Sequence, residues 1–240
     1  MKGILTLVPT PIDEVNPLEQ VAFKKLEEAY ELKKEKTIFA IEDLKAGRRR
    51  WIRWGLSRDI VNDFVLYNEH TFEKESEVLL GYLKEGYDVF LMSDGGLPAF
   101  CDPGRKLVDL CHKSQIRITS TPFPHSISLA LARSGFSHKS FWFEGFLPAK
   151  KEFREKRWRE LLENEATLVL MDTPYRLVKT LEEVKSFLKK KREIFLAMDL
   201  NSESEELLRG SPVQLIKKLK NKKSEFILII APLLKKDSSF

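Results

Sequence analysis

The segment Ser93-Asp94-Gly95-Gly96-Leu97-Pro98-Ala99-Phe100-Cys101-Asp102-Pro103-Gly104 concentrates residue types that can do chemistry. Its two carboxylates, Asp94 and Asp102, can accept hydrogen bonds from an amine or hydroxyl, or take a proton. Adjacent Gly95 and Gly96 allow backbone to approach a ligand closely, and Pro98 and Pro103 stiffen the loop. The segment also reads as a surface turn built from ordinary Asp-Gly and Asp-Pro-Gly punctuation. Its density, directly after the apolar run Tyr87 to Met92, favours a site. Two basic clusters form the other candidates. Arg48, Arg49, Arg50 and Arg53 interleave with Trp51 and Trp54, and Lys150, Lys151, Arg154, Lys156, Arg157 and Arg159 lie within ten positions. Such clusters suit nucleic-acid phosphates, and tryptophans suit stacked bases, although each cluster alone also reads as a solvated helix face.

The elements that must position these residues alternate between strand and helix. Ile4 to Val8, Thr37 to Ile41, Phe64 to Tyr67, Tyr87 to Met92 and Ile116 to Thr119 read as strands. Leu18 to Lys36, Gly47 to Gly55, Thr71 to Lys84 and Arg105 to Lys113 read as the helices between them. This order predicts βαβ units and a parallel sheet, whose ligands bind where strands run into loops at their carboxyl ends. Thr121-Pro122-Phe123-Pro124 then forms a stiff elbow, so the domains are expected at 1–121 and 122–240. Beyond it, strands are expected at Ser140 to Leu147, Thr167 to Met171, Ile194 to Leu200 and Phe226 to Ile230. Helices are expected at Glu152 to Leu162, Arg176 to Lys190 and Val213 to Leu219. The fold class is α/β, with an N-terminal parallel and a C-terminal mixed sheet. Through Pro122 the chain holds 18 basic and 20 acidic residues; the rest holds 23 and 16, so the positive charge lies in the second half.

Composition closes other routes. With 240 residues, 42% apolar and 16 Phe, the chain has material for a substantial core and is not disordered as a whole. The longest apolar run, Phe226 to Leu234, falls well short of the roughly 20 residues of a membrane span. Cys101 and Cys111, ten apart, read as reduced thiols of a cytoplasmic protein, and with His112 they are too few for a zinc site, so no metal is expected. The chain contains no Walker loop, no G-x-G-x-x-G after its first strand, no G-x-S-x-G and no H-E-x-x-H.

Eight motifs in order resemble one family across nearly the whole chain. They are V-P-T-P-I (Val8 to Ile12), I-E-D (Ile41 to Asp43), N-E-H (Asn68 to His70), the Ser93 to Gly104 segment, S-G-F (Ser134 to Phe136), F-E-G-F-L-P (Phe143 to Pro148), D-T-P-Y-R (Asp172 to Arg176) and S-E-F-I-L (Ser224 to Leu228). The chain resembles the tetrapyrrole methylase superfamily, and within it the ribosomal RNA small subunit methyltransferase I branch. The resemblance implies an S-adenosylmethionine (SAM) dependent methyltransferase acting on an RNA ribose 2′-hydroxyl, with the cofactor in a cleft between two domains, and a homodimer. It implies SAM contacts from Pro9, Asp94, Gly95, Gly96, Leu97, Pro98, His125, Ser126, Met171 and Leu200. Without the resemblance, Met171 and Leu200 read as strand-end core. Asp43 and Glu69, after the second and third strands, are candidate bases for the acceptor proton, or alternatively loop caps or ion-pair partners of Arg48 to Arg50. Arg48, Arg49, Arg50, Arg53, Lys150, Lys151, Arg154 and Arg157 become candidate RNA contacts. The chain departs from the family pattern: T-P-I-G-N is Thr10-Pro11-Ile12-Asp13-Glu14, E-D-T-R is Glu42-Asp43-Leu44-Lys45, P-G-P-S-A is Pro122-Phe123-Pro124-His125-Ser126, and E-L-T-K is Asp199-Leu200-Asn201-Ser202. A methyltransferase of a small molecule such as a tetrapyrrole, and a non-catalytic RNA-binding relative, are the alternatives.

Overall fold

The computed structural model describes residues 1–123, 125–188, 192–219 and 222–233. Pro124 of the elbow and Lys189 to Lys191 lie outside them. The chain divides into two compact units, Met1–Pro124 and His125–Phe240.

The first unit is a parallel sheet. Strands β1 (Ile4–Val8), β2 (Thr37–Ile41), β3 (Val65–Leu66), β4 (Asp88–Met92) and β5 (Arg117–Ser120) lie in the order β3-β2-β4-β1-β5. Helices α1 (Gln20–Lys33), α2 (Leu44–Arg53), α3 (Phe72–Lys84) and α4 (Arg105–Lys113) make the crossovers. Strand residues feed alternate faces. Val8, Ile41 and Met92 pack with Ala22, Leu26 and Trp51 on one side. Leu5, Ala40, Val89 and Leu91 pack with Leu79, Leu83 and Leu107 on the other. Trp51 is nearly fully buried, its ring 5.0 Å from Phe39 and 5.2 Å from Phe64, with its indole N–H donated to Ser57 O. It therefore packs edge-to-face with core aromatics, and the expectation that it offers a face to bases is corrected. All five strands being parallel, their carboxyl ends and the loops after them share one edge.

The second unit holds a mixed sheet. Strands β6 (Phe141–Phe146), β7 (Thr167–Asp172), β8 (Ile194–Met198), β9 (Glu206–Gly210) and β10 (Phe226–Ile230) lie in the order β6-β7-β10-β8-β9. Only β6 and β7 pair in parallel. Helices α6 (Lys151–Glu163), α7 (Leu177–Phe187) and α8 (Pro212–Leu219) cover one face, and α5 (Ser126–Ser134) packs on the other. The sequence reading left α5 and β9 unassigned. Helix α5 is nine residues directly after the prolines, and β9 is an edge strand whose alternation spans only five positions. The expected helix from Arg176 to Lys190 is α7, ending at Phe187; its last two expected residues lie outside the described ones.

Candidate functional site

At the carboxyl edge of the first sheet, two loops are stitched together. Thr10 after β1 and Gly96 after β4 exchange both backbone hydrogen bonds, each at 2.9 Å. The Thr10 hydroxyl donates to Ser93 O at 2.9 Å. Gly96 sits at φ +99°, a conformation that glycine adopts without strain. Ala99 (φ +65°) and Cys101 (φ +64°) hold the left-handed region without being glycine, so backbone strain gathers in this loop, as at functional sites generally.

The stitching leaves the N–H groups of Gly96 and Asp94 already paired: the first goes to Thr10 O, the second to the Glu42 carboxylate at 3.1 Å. What the loop offers instead is its carboxylates. Burial raises Asp94 to about 6, helped by the nearby charges of Glu42 and Asp43 and partly offset by a hydrogen bond from the Asp43 backbone N–H and by Arg50. Burial likewise raises Asp102 to about 7, with Glu42 and Asp94 adding to it and a hydrogen bond from Ser93 opposing it. A carboxyl group near neutrality can exchange a proton at physiological pH, and ionised beside other carboxylates it attracts a cation. Glu42 was missed by the sequence reading; its place right after β2, beside the loop after β4, was the available signal. Of the other expected residues in this unit, Pro9 and Pro98 are buried, Leu97 is half-buried and Gly95 is exposed.

Asp43 is the N-cap of α2: its carboxylate accepts from the N–H groups of Lys45 at 2.7 Å and Ala46 at 2.8 Å. Glu69 lies out in solvent at 80% exposure, 3.4 Å from His70. Neither candidate base has the half-buried setting of Asp94 and Asp102.

In the second unit, the registers bring a different set to one edge. Phe226 opposes Asp172 and Met198, so the ends of β7 and β8 and the start of β10 coincide. Met171 and Leu200 pack on the α5 face with Ile127, Ala130 and Leu131. Leu200 is buried between Asp199 (φ +46°) and Asn201 (φ +63°). His125 caps α5, and burial lowers its pKa, favouring the neutral imidazole; Ser126 follows as the first helical residue. The structure thus brings Met171, Leu200 and the helix begun by Ser126 onto one apolar face.

The basic residues fare unevenly. Arg154 is 3% exposed and donates to Asp172 at 2.6 Å, Glu183 at 2.7 Å and Thr180 at 3.0 Å; Glu183 also accepts from the Trp158 indole at 2.9 Å. It is a core residue, and its reading as an RNA contact is corrected. Positions 154, 158 and 161 repeat at helical spacing as the buried stripe of α6, a signal present in the sequence. Arg50 is buried as well and donates to Pro11 O at 2.7 Å, which corrects its reading too. Arg48 donates to Val61 O at 2.7 Å, and Arg49 and Arg53 pair with Glu14. Arg157 is held by Glu144 and Glu160, while Lys150 and Lys151 remain exposed.

Among the described residues, no group of three or more His, Cys, Asp or Glu is placed to hold a metal ion, and no helix is long and apolar enough to cross a membrane.

Comparison with known proteins gives a consistent result. The model of the family described as Tetrapyrrole (Corrin/Porphyrin) Methylases matches residues 18–215. The chain is 34% identical over 231 residues to the Ribosomal RNA small subunit methyltransferase I of Halalkalibacterium halodurans, covering 95% of this chain and 76% of that protein. It is 31% identical over 221 residues to the protein of the same name from Thermotoga maritima, covering 92% and 94%. Among solved structures, the methyltransferase CobJ superposes with a TM-score of 0.62 at 13% identity, covering 100% of this chain and 98% of that one; this likeness concerns the fold.

Proposed function

The chain belongs to the tetrapyrrole (corrin/porphyrin) methylase family and is a methyltransferase; from that premise we propose that it uses SAM to methylate a ribose 2′-hydroxyl of ribosomal RNA in the cytoplasm. The observation that carries the SAM assignment is the pair of half-buried carboxyls, Asp94 and Asp102, crowded by Glu42 at the edge where the parallel strands end. Their setting fits a cationic methyl donor, because an ammonium or sulfonium group offsets the burial and the carboxylate repulsion that raise them. SAM supplies a methyl group already activated on a sulfonium, so the protein's task is alignment.

In this reading Asp94 holds the charged amino acid end, alongside the backbone of Gly95 to Pro98 and the wall formed by Pro9. Met171 and Leu200 offer apolar surface to the adenine, with His125 and Ser126 beside them. The acceptor hydroxyl loses its proton as its oxygen gains the methyl. Asp102, at about 7, is better matched to that proton than the helix-capping Asp43 or the exposed Glu69. The names of the relatives support RNA as the acceptor. Lys150 and Lys151, exposed at the start of α6, are the phosphate contacts that the fold leaves free of the core. A homodimer is part of the proposal, supported by the exposed aromatics Phe141, Trp142, Phe146 and Phe153 on and beside the edge strand β6.

Calorimetry with S-adenosylhomocysteine, followed by methyl transfer to small-subunit RNA, tests the reading. The expected result is one-to-one binding and an alkali-resistant linkage in the RNA, since a 2′-O-methyl blocks backbone hydrolysis. Folded protein that takes up no S-adenosylhomocysteine at millimolar concentration overturns it. Binding without RNA methylation moves the acceptor to a small molecule.

A further inference from the structure

The arginines of α2 point somewhere other than a nucleic acid. Positions 47, 50, 51 and 54 form one stripe of the helix, which turns Arg50 inward beside Trp51. Its guanidinium donates to Pro11 O at 2.7 Å. The residue before it, Arg49, forks onto the Glu14 carboxylate, with Nη2 to Oε2 at 2.8 Å, and one turn on, Arg53 donates to Glu14 O at 3.0 Å. The three arginines therefore hold the two ends of one short segment after β1, Arg50 at Pro11 and Arg49 and Arg53 at Glu14, and that segment includes Asp13 and Glu14, where the chain departs from its family pattern. The gripped loop continues back into Thr10, which is bonded in both directions to Gly96 and through its hydroxyl to Ser93, on either side of Asp94. A chain of short contacts thus runs from α2 through the loop after β1 to the loop that carries Asp94.

We propose that Arg49, Arg50 and Arg53 are positioning residues that hold the two cofactor loops in register through Pro11 and Glu14, and that they do not serve as phosphate contacts. The proposal rests on the SAM reading for its effect on affinity, while the loop geometry can be measured without it. A guanidinium already forked onto a carboxylate has spent the planar donor pair that a phosphate would use. Loosening Pro11 to Glu14 frees Thr10, and with it the Gly95-Gly96 turn.

The test is a double-mutant cycle on the solvent-facing members, Glu14→Gln, Arg49→Gln and the pair, with Arg50→Lys as a fourth variant. Three readouts are taken: hydrogen exchange at the Thr10 and Gly96 amides, S-adenosylhomocysteine affinity, and affinity for small-subunit RNA as a function of salt. Each single change is expected to speed exchange at both amides and to weaken S-adenosylhomocysteine about threefold, the scale of an exposed ion pair. The double variant is expected to be no worse than either single one, because the two groups act through each other. RNA affinity and its salt slope stay put. Arg50→Lys keeps the charge but loses the planar reach to Pro11 O, so it should raise KM for the methyl donor more than it lowers kcat. Unchanged exchange at Thr10 and Gly96 in the variants overturns the proposal. So does an Arg49→Gln protein whose RNA salt slope falls by about 1, the mark of a lost phosphate contact. If the wild-type protein takes up no S-adenosylhomocysteine, the SAM reading fails, and the exchange data still decide whether α2 holds the loops.

Discussion

Asp172 and Asp94 occupy similar places, one ending a strand and the other just beyond the end of one, and the two units treat them in opposite ways. Asp172, 3% exposed in its side chain, receives Arg154 at 2.6 Å and Thr180 at 3.1 Å, and the same Arg154 also neutralises Glu183. Asp94 has Glu42 and Asp43 for neighbours, and Arg50, which eases its charge, spends a hydrogen bond on Pro11. A buried carboxylate with its cation in place locks helices to a sheet. One kept among other carboxylates is costly to the fold, and such a cost persists where a ligand or a proton relieves it. The second unit's carboxylate is architecture; the first unit's is the one the proposed function assigns to the cofactor.

Removing the cation from the compensated network should give the largest effect. Arg154→Met takes the buried cation from Asp172 and Glu183, leaving Asp172 the more distant Arg176 at 3.9 Å, and is expected to cost about 3–5 kcal/mol in denaturant unfolding. A loss below about 1 kcal/mol would show that the network is dispensable and remove the contrast. On the uncompensated side, Asp94→Asn should leave stability level or raised while weakening S-adenosylhomocysteine by about tenfold to a hundredfold, as expected for one charge-assisted contact. In the wild-type protein that affinity should fall as pH drops through about 6, where Asp94 takes up its proton and loses its attraction for the ammonium group. A flat calorimetric profile from pH 5 to about 8 would argue against Asp94 as the partner.

Asp102 gives a smaller effect with a definite sign. Its pKa is raised in the fold, so folding takes up a proton in the window from the ordinary carboxylate range to about 7. Its share of stability is present in acid and is lost as pH rises through about 7. Asp102→Asn should therefore stabilise the protein at pH 8 by about 1–2 kcal/mol, a figure reduced for its contact with solvent, and make little difference at pH 4. Thermal unfolding at the two pH values checks this; equal shifts at both would mean that Asp102 is not held neutral by the fold. The smallest effects belong to the surface. Lys150→Gln and Lys151→Gln should each lower the salt slope of RNA binding by about 1 and leave stability within about 0.5 kcal/mol. No change in the slope would move the phosphate track elsewhere.

Local patterning carried much of this molecule. Strand ends, the two α/β halves and the dense loop at Ser93 to Gly104 could be read because hydrophobic period, glycine and proline act over a few neighbouring residues. Family motifs added the activity. The partners of each charge were not legible, because they lie far apart in the chain: Glu42 with Asp94, Arg50 with Pro11, Arg154 with Asp172. The same basic residue is a phosphate contact, a core ion pair or a loop clasp depending on what the other strands and helices bring within 3 Å. The helical stripes 47-50-51-54 and 154-158-161 show that arginine can sit on a buried face, but only the packing says which acceptor meets it there. The sequence by itself determined the fold class and marked the strand-end loops as the candidate site. The tertiary structure alone decided which charges are compensated, since burial and Coulomb coupling depend on distances that no sequence spacing fixes.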